Sequence, residues 1–121
     1  MKVIRPDQVA KKPTSNPLFT GGTVTVQPLL TDKETKQFGM SVVNFGKGAR
    51  NKFHTHTSDQ VLIVTAGKGI VATEREQVTV GVGDIIHIPA NEVHWHGATN
   101  DSEFSHIYFF SADSKTKQVE A

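Results

Sequence analysis

The sequence predicts an all-β domain, and three observations carry that expectation. Apolar residues come in strand-sized runs, such as Val61-Leu62-Ile63-Val64, Ile85-Ile86-His87-Ile88 and the stretch 104–110. Gly, Pro, Asn and Asp punctuate those runs at nearly regular spacing, which is the chemistry of tight turns. No segment repeats its apolar residues with the 3.6-residue period of an amphipathic helix. Short strands in that number close into a barrel or pack as a sandwich. A chain of 121 residues suffices for one domain with one core.

Residues 1–22 begin with the β-prone Lys2-Val3-Ile4 and then carry Pro6, Pro13 and Pro17. Proline at that density rules out a helix interior and predicts an extended arm. Thr23-Val24-Thr25-Val26-Gln27 alternates polar and apolar, the mark of a half-buried strand. Residues 28–37 read as a charged loop, and 38–45 as a second strand closed by Gly46 and Gly48. The run 61–64 predicts a strand buried on both faces, and Ala66-Gly67-Lys68-Gly69 a tight hairpin. Further strands are expected at 70–73, 77–80, 84–88, 93–96 and 104–110. The barrel thus spans 23–112, and 113–121 reads as a polar tail that frays.

Composition removes several function classes. Net charge is +1 with both signs interspersed, so no basic stripe tracks a phosphate backbone, and nucleic acid is not expected as a partner. No run approaches the ~20 apolar residues that cross a bilayer, and residues 1–13 lack the apolar centre of a signal peptide. Cysteine is absent, which excludes disulfides and thiolate ligands. A soluble, cytoplasmic protein without a membrane partner is the expectation.

The six histidines stand at 54, 56, 87, 94, 96 and 106. His54 and His56 are two residues apart, so in a strand they share a face with Cα atoms about 6–7 Å apart. Two such imidazoles can converge on one metal ion, and Gln60, past a Thr57-Ser58-Asp59 turn, can add an oxygen. A second His-x-His pair follows at His94 and His96. His106 shares a strand face with Phe104, Tyr108 and Phe110. If that face points inward, burial leaves its imidazole neutral and able to accept a proton; the alternative is that it orients a metal ligand. His87 is expected outside the site. Ser41 and Val43 share a strand face that could line the barrel mouth. Phe53, Trp95, Phe109 and Phe110 are core or interface candidates first and pocket walls second.

Gly48-x5-His54-x-His56-x3-Gln60-x6-Gly67 resembles the first cupin motif, with Gln where Glu is usual. Gly83-x5-Pro89-x-Asn91-x2-His94 resembles the second, with Asn where Gly is usual and Ala98 where an Asn often stands. Asparagine tolerates left-handed backbone, so the change at Asn91 is mild. The resemblance covers residues 38–110. Leu62-Ile63-Val64-Thr65-Ala66-Gly67, His94-Trp95-His96-Gly97-Ala98, Ser105-His106-Ile107 and Phe19-Thr20-Gly21 are similar to small bacterial cupins that include the manganese-dependent hydroxynitrile lyases. Many of these carry a carboxymuconolactone decarboxylase-like label.

That resemblance implies a cupin jelly-roll barrel with one divalent ion held by His54, His56, Gln60 and His94. Manganese comes first, and iron, nickel, cobalt or zinc also suit the donors. It places His106 in the pocket as the catalytic acid–base, with His96 close by; Ser41, Val43 and Phe110, from their strand faces, are expected around the substrate. A lyase of hydroxynitrile-lyase type acting on a small anionic or carbonyl-derived molecule is the leading expectation. A cupin dioxygenase using Fe(II) and a non-catalytic module anchoring a small ligand on its metal are the alternatives. A homodimer is expected, with the arm crossing to cover the partner's strand edges.

Overall fold

The computed structural model describes residues 1–121, and its regular structure is β apart from one 3-10 turn, Pro6–Gln8. Twelve strands pair throughout as antiparallel neighbours. They are β1 (Lys12–Pro13), β2 (Phe19–Thr20), β3 (Val24–Leu30), β4 (Phe38–Phe45), β5 (Arg50–Asn51) and β6 (His54–His56). There follow β7 (Gln60–Thr73), β8 (Gln77–Gly81), β9 (Ile85–Ile88), β10 (His94–Ala98), β11 (Phe104–Ser111) and β12 (Thr116–Gln118). One sheet runs β1-β3-β4-β11-β7 and is closed by β9 on β7. The other is built from β8, β7, β10, β5 and β2, with β6 between β10 and β12. This is the expected jelly roll.

The long strand β7 belongs to both sheets. Its first half pairs with β11 and β9, and its second half with β10 and β8. The hairpin expected at 66–69 is therefore a bend within one strand. Gly67 makes the bend with φ +71, where an added Cβ would collide with the Glu103 carbonyl oxygen. Two positions on, the ring of Phe104 lies where a side chain at Gly69 would go. The run 61–64 is fully buried on one face only: Leu62 and Val64 point inward, and Val61 and Ile63 are half-buried.

Three other expectations change. Lys2-Val3-Ile4 forms no strand, and the arm holds to its own barrel through Lys12↔Val26 and Phe19↔Asn51. The Gln27 side-chain amide reinforces this by donating to the Pro6 and Val9 carbonyls at 2.7 and 2.8 Å. Next, β3 continues through Pro28 to Leu30 where a loop was expected. A register shift between Pro28 and Leu30 accommodates the missing N–H. Lastly, the tail does not simply fray: β12 pairs with β6, with Thr116 opposite His56.

A small apolar core fills one part of the barrel. Val24, Val43, Phe45, Ala49, Val64 and Phe104 are buried together, with Phe45 and Phe104 stacked at 5.8 Å. The remaining interior is polar, since five of the six histidines are buried. No helix is long and apolar enough to cross a membrane.

Candidate metal centre

Strand alternation brings the donors together. In β6, His54 and His56 point inward while Thr55 is half-buried; in β10, His94 and His96 do the same around Trp95. The two strands pair with His94 directly opposite His54. The turn before β10 is fixed by Asn91, which adopts φ +68 and donates its N–H to the His56 carbonyl at 2.8 Å. The left-handed tolerance of asparagine is thus used at this position.

His54, His56 and His94 are buried, and their ligating nitrogens lie within 4.8 Å of one another. Each ring is held by its Nδ1. For His54 the partner is the Lys52 carbonyl at 2.6 Å, for His94 the Glu92 carbonyl at 2.8 Å, and for His56 the Thr116 hydroxyl at 2.8 Å. A neutral imidazole that donates its Nδ1–H in a hydrogen bond presents a bare Nε2. The Nε2 atoms of His56 and His94 and the Gln60 Oε1 are buried without any partner. Buried polar atoms rarely stay unpaired, so these donors fit a divalent ion.

Electrostatics agree with that fit. Burial, then the neighbouring His94, pushes His54 down to about 3 and His56 to about 4. Burial also lowers His94, against the opposing pull of the Glu92 carbonyl. At neutral pH His54 and His56 are therefore neutral, and His94 is shifted in the same direction. Imidazole and amide oxygen suit first-row divalent metals in general, so the donor set alone does not choose among them.

A cavity of about 250 Å³ opens beside the donors. His54, His56, Gln60, His96 and Asn51 are among its polar lining, and Val43, Tyr108 and Phe110 among its apolar and aromatic lining. Ser41 is buried on the Val43 side of β4 and in register with Tyr108, but it does not reach the cavity. His87 is outside, exposed and joined to Asp59 at 2.8 Å.

His106 is fully buried and does not line the cavity, whereas His96 from the opposite sheet does. The two rings touch, with His106 Nε2 at 2.9 Å from His96 Nδ1. Burial pushes His106 down to about 3, and burial followed by the His106 charge holds His96 well below its usual value. Both are neutral near pH 7.

Two residues of the site went unanticipated. Asn51 is buried in the cavity wall, accepts the His96 backbone N–H on Oδ1 at 2.8 Å, and so turns its NH2 toward the His96 ring. That NH2 lies 3.2 Å from Nε2 and 3.4 Å from Nδ1. Thr116, the partner of His56, comes from the tail. Its segment Lys115-Thr116-Lys117-Gln118-Val119 is β-compatible but so polar that only its pairing reveals it. Asn51, in a two-residue strand whose other member, Arg50, is also polar, left no signal at all.

Known proteins extend the picture. A family model for the cupin domain, Cupin_2, matches residues 41–110. An (R)-mandelonitrile lyase of Granulicella tundricola is 38% identical over 90 residues, which cover 74% of this chain and 68% of that protein. An acireductone dioxygenase of Leptospira biflexa is 35% identical over 68 residues, 53% of this chain but 38% of that protein. The chain thus spans well under half of the dioxygenase. Among solved structures, a cupin-like protein from Thermotoga maritima superposes with a TM-score of 0.86 at 33% identity, covering 95% of this chain and 90% of that one. A polyketide cyclase from Streptomyces resistomycificus gives 0.88 at 16% identity, covering 100% and 87%, a likeness of fold alone. With more than half of its length matched, the chain belongs to the Cupin_2 family of cupin domains.

Proposed function

We propose that this protein is a metal-dependent lyase of hydroxynitrile-lyase type, with one divalent ion, manganese first, held by His54, His56, His94 and Gln60. The observation that carries the reading is the set of unpartnered buried donors, His56 Nε2, His94 Nε2 and Gln60 Oε1, beside a small cavity lined by the neutral His96, which His106 backs from behind. When bound, the ion supplies Lewis acidity toward an anionic or carbonyl-derived oxygen. Gln60 as a neutral donor leaves the full +2 charge for that purpose.

His96 is the cavity-facing base. Its Nδ1 and His106 Nε2 share one proton across 2.9 Å, so one donates and the other accepts. The Asn51 NH2 opposes a proton on the nearer His96 Nε2, which favours the tautomer with Nδ1–H donating to His106. Nε2 is then bare and able to take a substrate proton, and His106 spreads the resulting charge from behind. In this reading His106 assists catalysis through His96. Tyr108, Phe110 and Val43 offer an apolar wall to the organic part of a small substrate. The relative named as a mandelonitrile lyase supports the reading at 38% identity.

The test is cleavage of mandelonitrile by protein purified without chelator, with released cyanide and dissolved oxygen followed together. Cyanide release that needs metal and consumes no oxygen is expected. Substrate-dependent oxygen uptake would instead favour the dioxygenase reading, which rests on the acireductone dioxygenase relatives. Metal-dependent ligand binding with neither activity would leave a binding module.

A further inference from the structure

Of the three histidines around the donor site, two are braced by carbonyls of their own strand approaches, Lys52 and Glu92. The third is not. His56 Nδ1 lies 2.8 Å from the hydroxyl of Thr116, sixty residues away in sequence and carried by the last strand, and with Nε2 kept bare for the metal its Nδ1–H donates to that hydroxyl. We propose that residues 115–120 form a latch for the metal centre: docking of this segment on β6 fixes His56 through Thr116, so that metal binding and docking strengthen each other. The inference rests on the reading of His56 as a ligand.

The segment is clasped at both ends of the ligand strand. At one end the Lys115 carbonyl accepts the Thr57 N–H at 3.0 Å, and the Lys115 N–H donates to the Thr57 hydroxyl at 2.9 Å. At the other, the Val119 and Glu120 N–H groups both donate to the Phe53 carbonyl. The Glu120 carboxylate returns the bond, accepting the Phe53 N–H at 2.9 Å and pairing with the Arg50 guanidinium at 2.7 Å. Arg50 is in turn stacked 4.7 Å over the Trp95 ring. The ligand strand His54–His56 is thereby pinned from outside over its whole length.

Nothing apolar holds the latch down. Residues 115–119 are all exposed, so docking depends on hydrogen bonds that water can replace. Such segments occupy the low-stability end of a fold and open without global unfolding. An open latch leaves His56 without its brace, and loss of an orienting partner weakens metal affinity by about 10–100-fold. Linkage then requires the reverse, that bound metal favours the docked latch by the same factor.

The experiment uses the full chain and Mn(II) alone as the probe. Affinity is read by chelator competition, and latch docking by amide hydrogen exchange over residues 115–120. Mn(II) should slow exchange there in the wild type. Thr116→Val, which keeps the shape and removes the hydroxyl, should bind Mn(II) about 10–100-fold more weakly, and Thr116→Ser should restore it. Glu120→Ala touches no donor, yet it should weaken binding at least about fivefold by loosening the latch. Unchanged affinity in Thr116→Val, or exchange indifferent to Mn(II), overturns the proposal. Weakening by Thr116→Val alone, with Glu120→Ala unaffected, also overturns the latch and leaves a local hydrogen bond. A wild type that binds no Mn(II) removes both the latch and the metal reading beneath it, whereas a wild type that binds Mn(II) without lyase activity leaves the latch standing.

Discussion

Replacing Asn51 separates its two jobs, because its two side-chain atoms face different groups. Oδ1 accepts the buried His96 N–H at 2.8 Å, and the NH2 faces the His96 ring. Asn51→Asp keeps the acceptor and converts the donor into a second acceptor. His96 Nε2 would then retain a proton in order to bond the carboxylate, and the base would be lost. Turnover should fall by the ~10²–10⁴-fold of missing acid–base assistance. Melting temperature should also fall, because a carboxylate replaces a neutral amide at a buried position, while metal content should stay intact. Asn51→Ala removes both atoms and leaves the His96 N–H buried without a partner, at a cost of about 1–3 kcal/mol. For a domain of this length that is roughly a 3–15 °C fall in melting temperature. The assay is a pair of thermal melts beside initial rates and metal analysis. Full activity in a metallated Asn51→Asp would refute the tautomer argument and, with it, His96 as the base.

Three other outcomes are expected. Gln60→Glu should keep the metal but bind azide or cyanide at least about tenfold more weakly, since an added negative charge near the ion offsets its attraction for anions; titration of the metallated protein checks this. His106 should make the metal-free protein acid-sensitive. Its folded value near 3 lies below the ordinary 6.5, so the unfolded chain takes the proton first. Its contribution is complete above about pH 6.5 and lost as pH falls toward 3. His106→Leu should flatten the fall in urea-unfolding stability between pH 6 and 4 by about 1 kcal/mol per pH unit. Gly67→Ala should lower the melting temperature by at least about 5 °C, because left-handed backbone costs about 1–2 kcal/mol there and the new Cβ meets the Glu103 carbonyl; an unchanged melt would contradict the bend.

What the sequence revealed depended on how local the cause was. The strand over 38–45 and the turn at Asn91 were legible because alternation and backbone tolerance are properties of a few adjacent residues. The donors in β6 and β10 were legible because their spacing matches a motif at both ends. The bend at Gly67 was mistaken for a hairpin because both need a glycine, and only the change of partner from β11 to β10 distinguishes them. Position of His106 behind His96 depends on which sheet reaches the cavity first, and no strand period encodes that. The role of Thr116 hangs on a pairing across sixty residues, so composition alone spoke for a loose tail.

Whether one divalent ion is shared by His54, His56, His94 and Gln60 is decided by anomalous diffraction at the manganese edge, on crystals grown with Mn(II) as the sole added metal. A single strong peak per chain is expected, bounded by the Nε2 atoms of the three histidines and the Gln60 Oε1. A peak that excludes any of these histidines, or no peak at the site under saturating Mn(II), would contradict it.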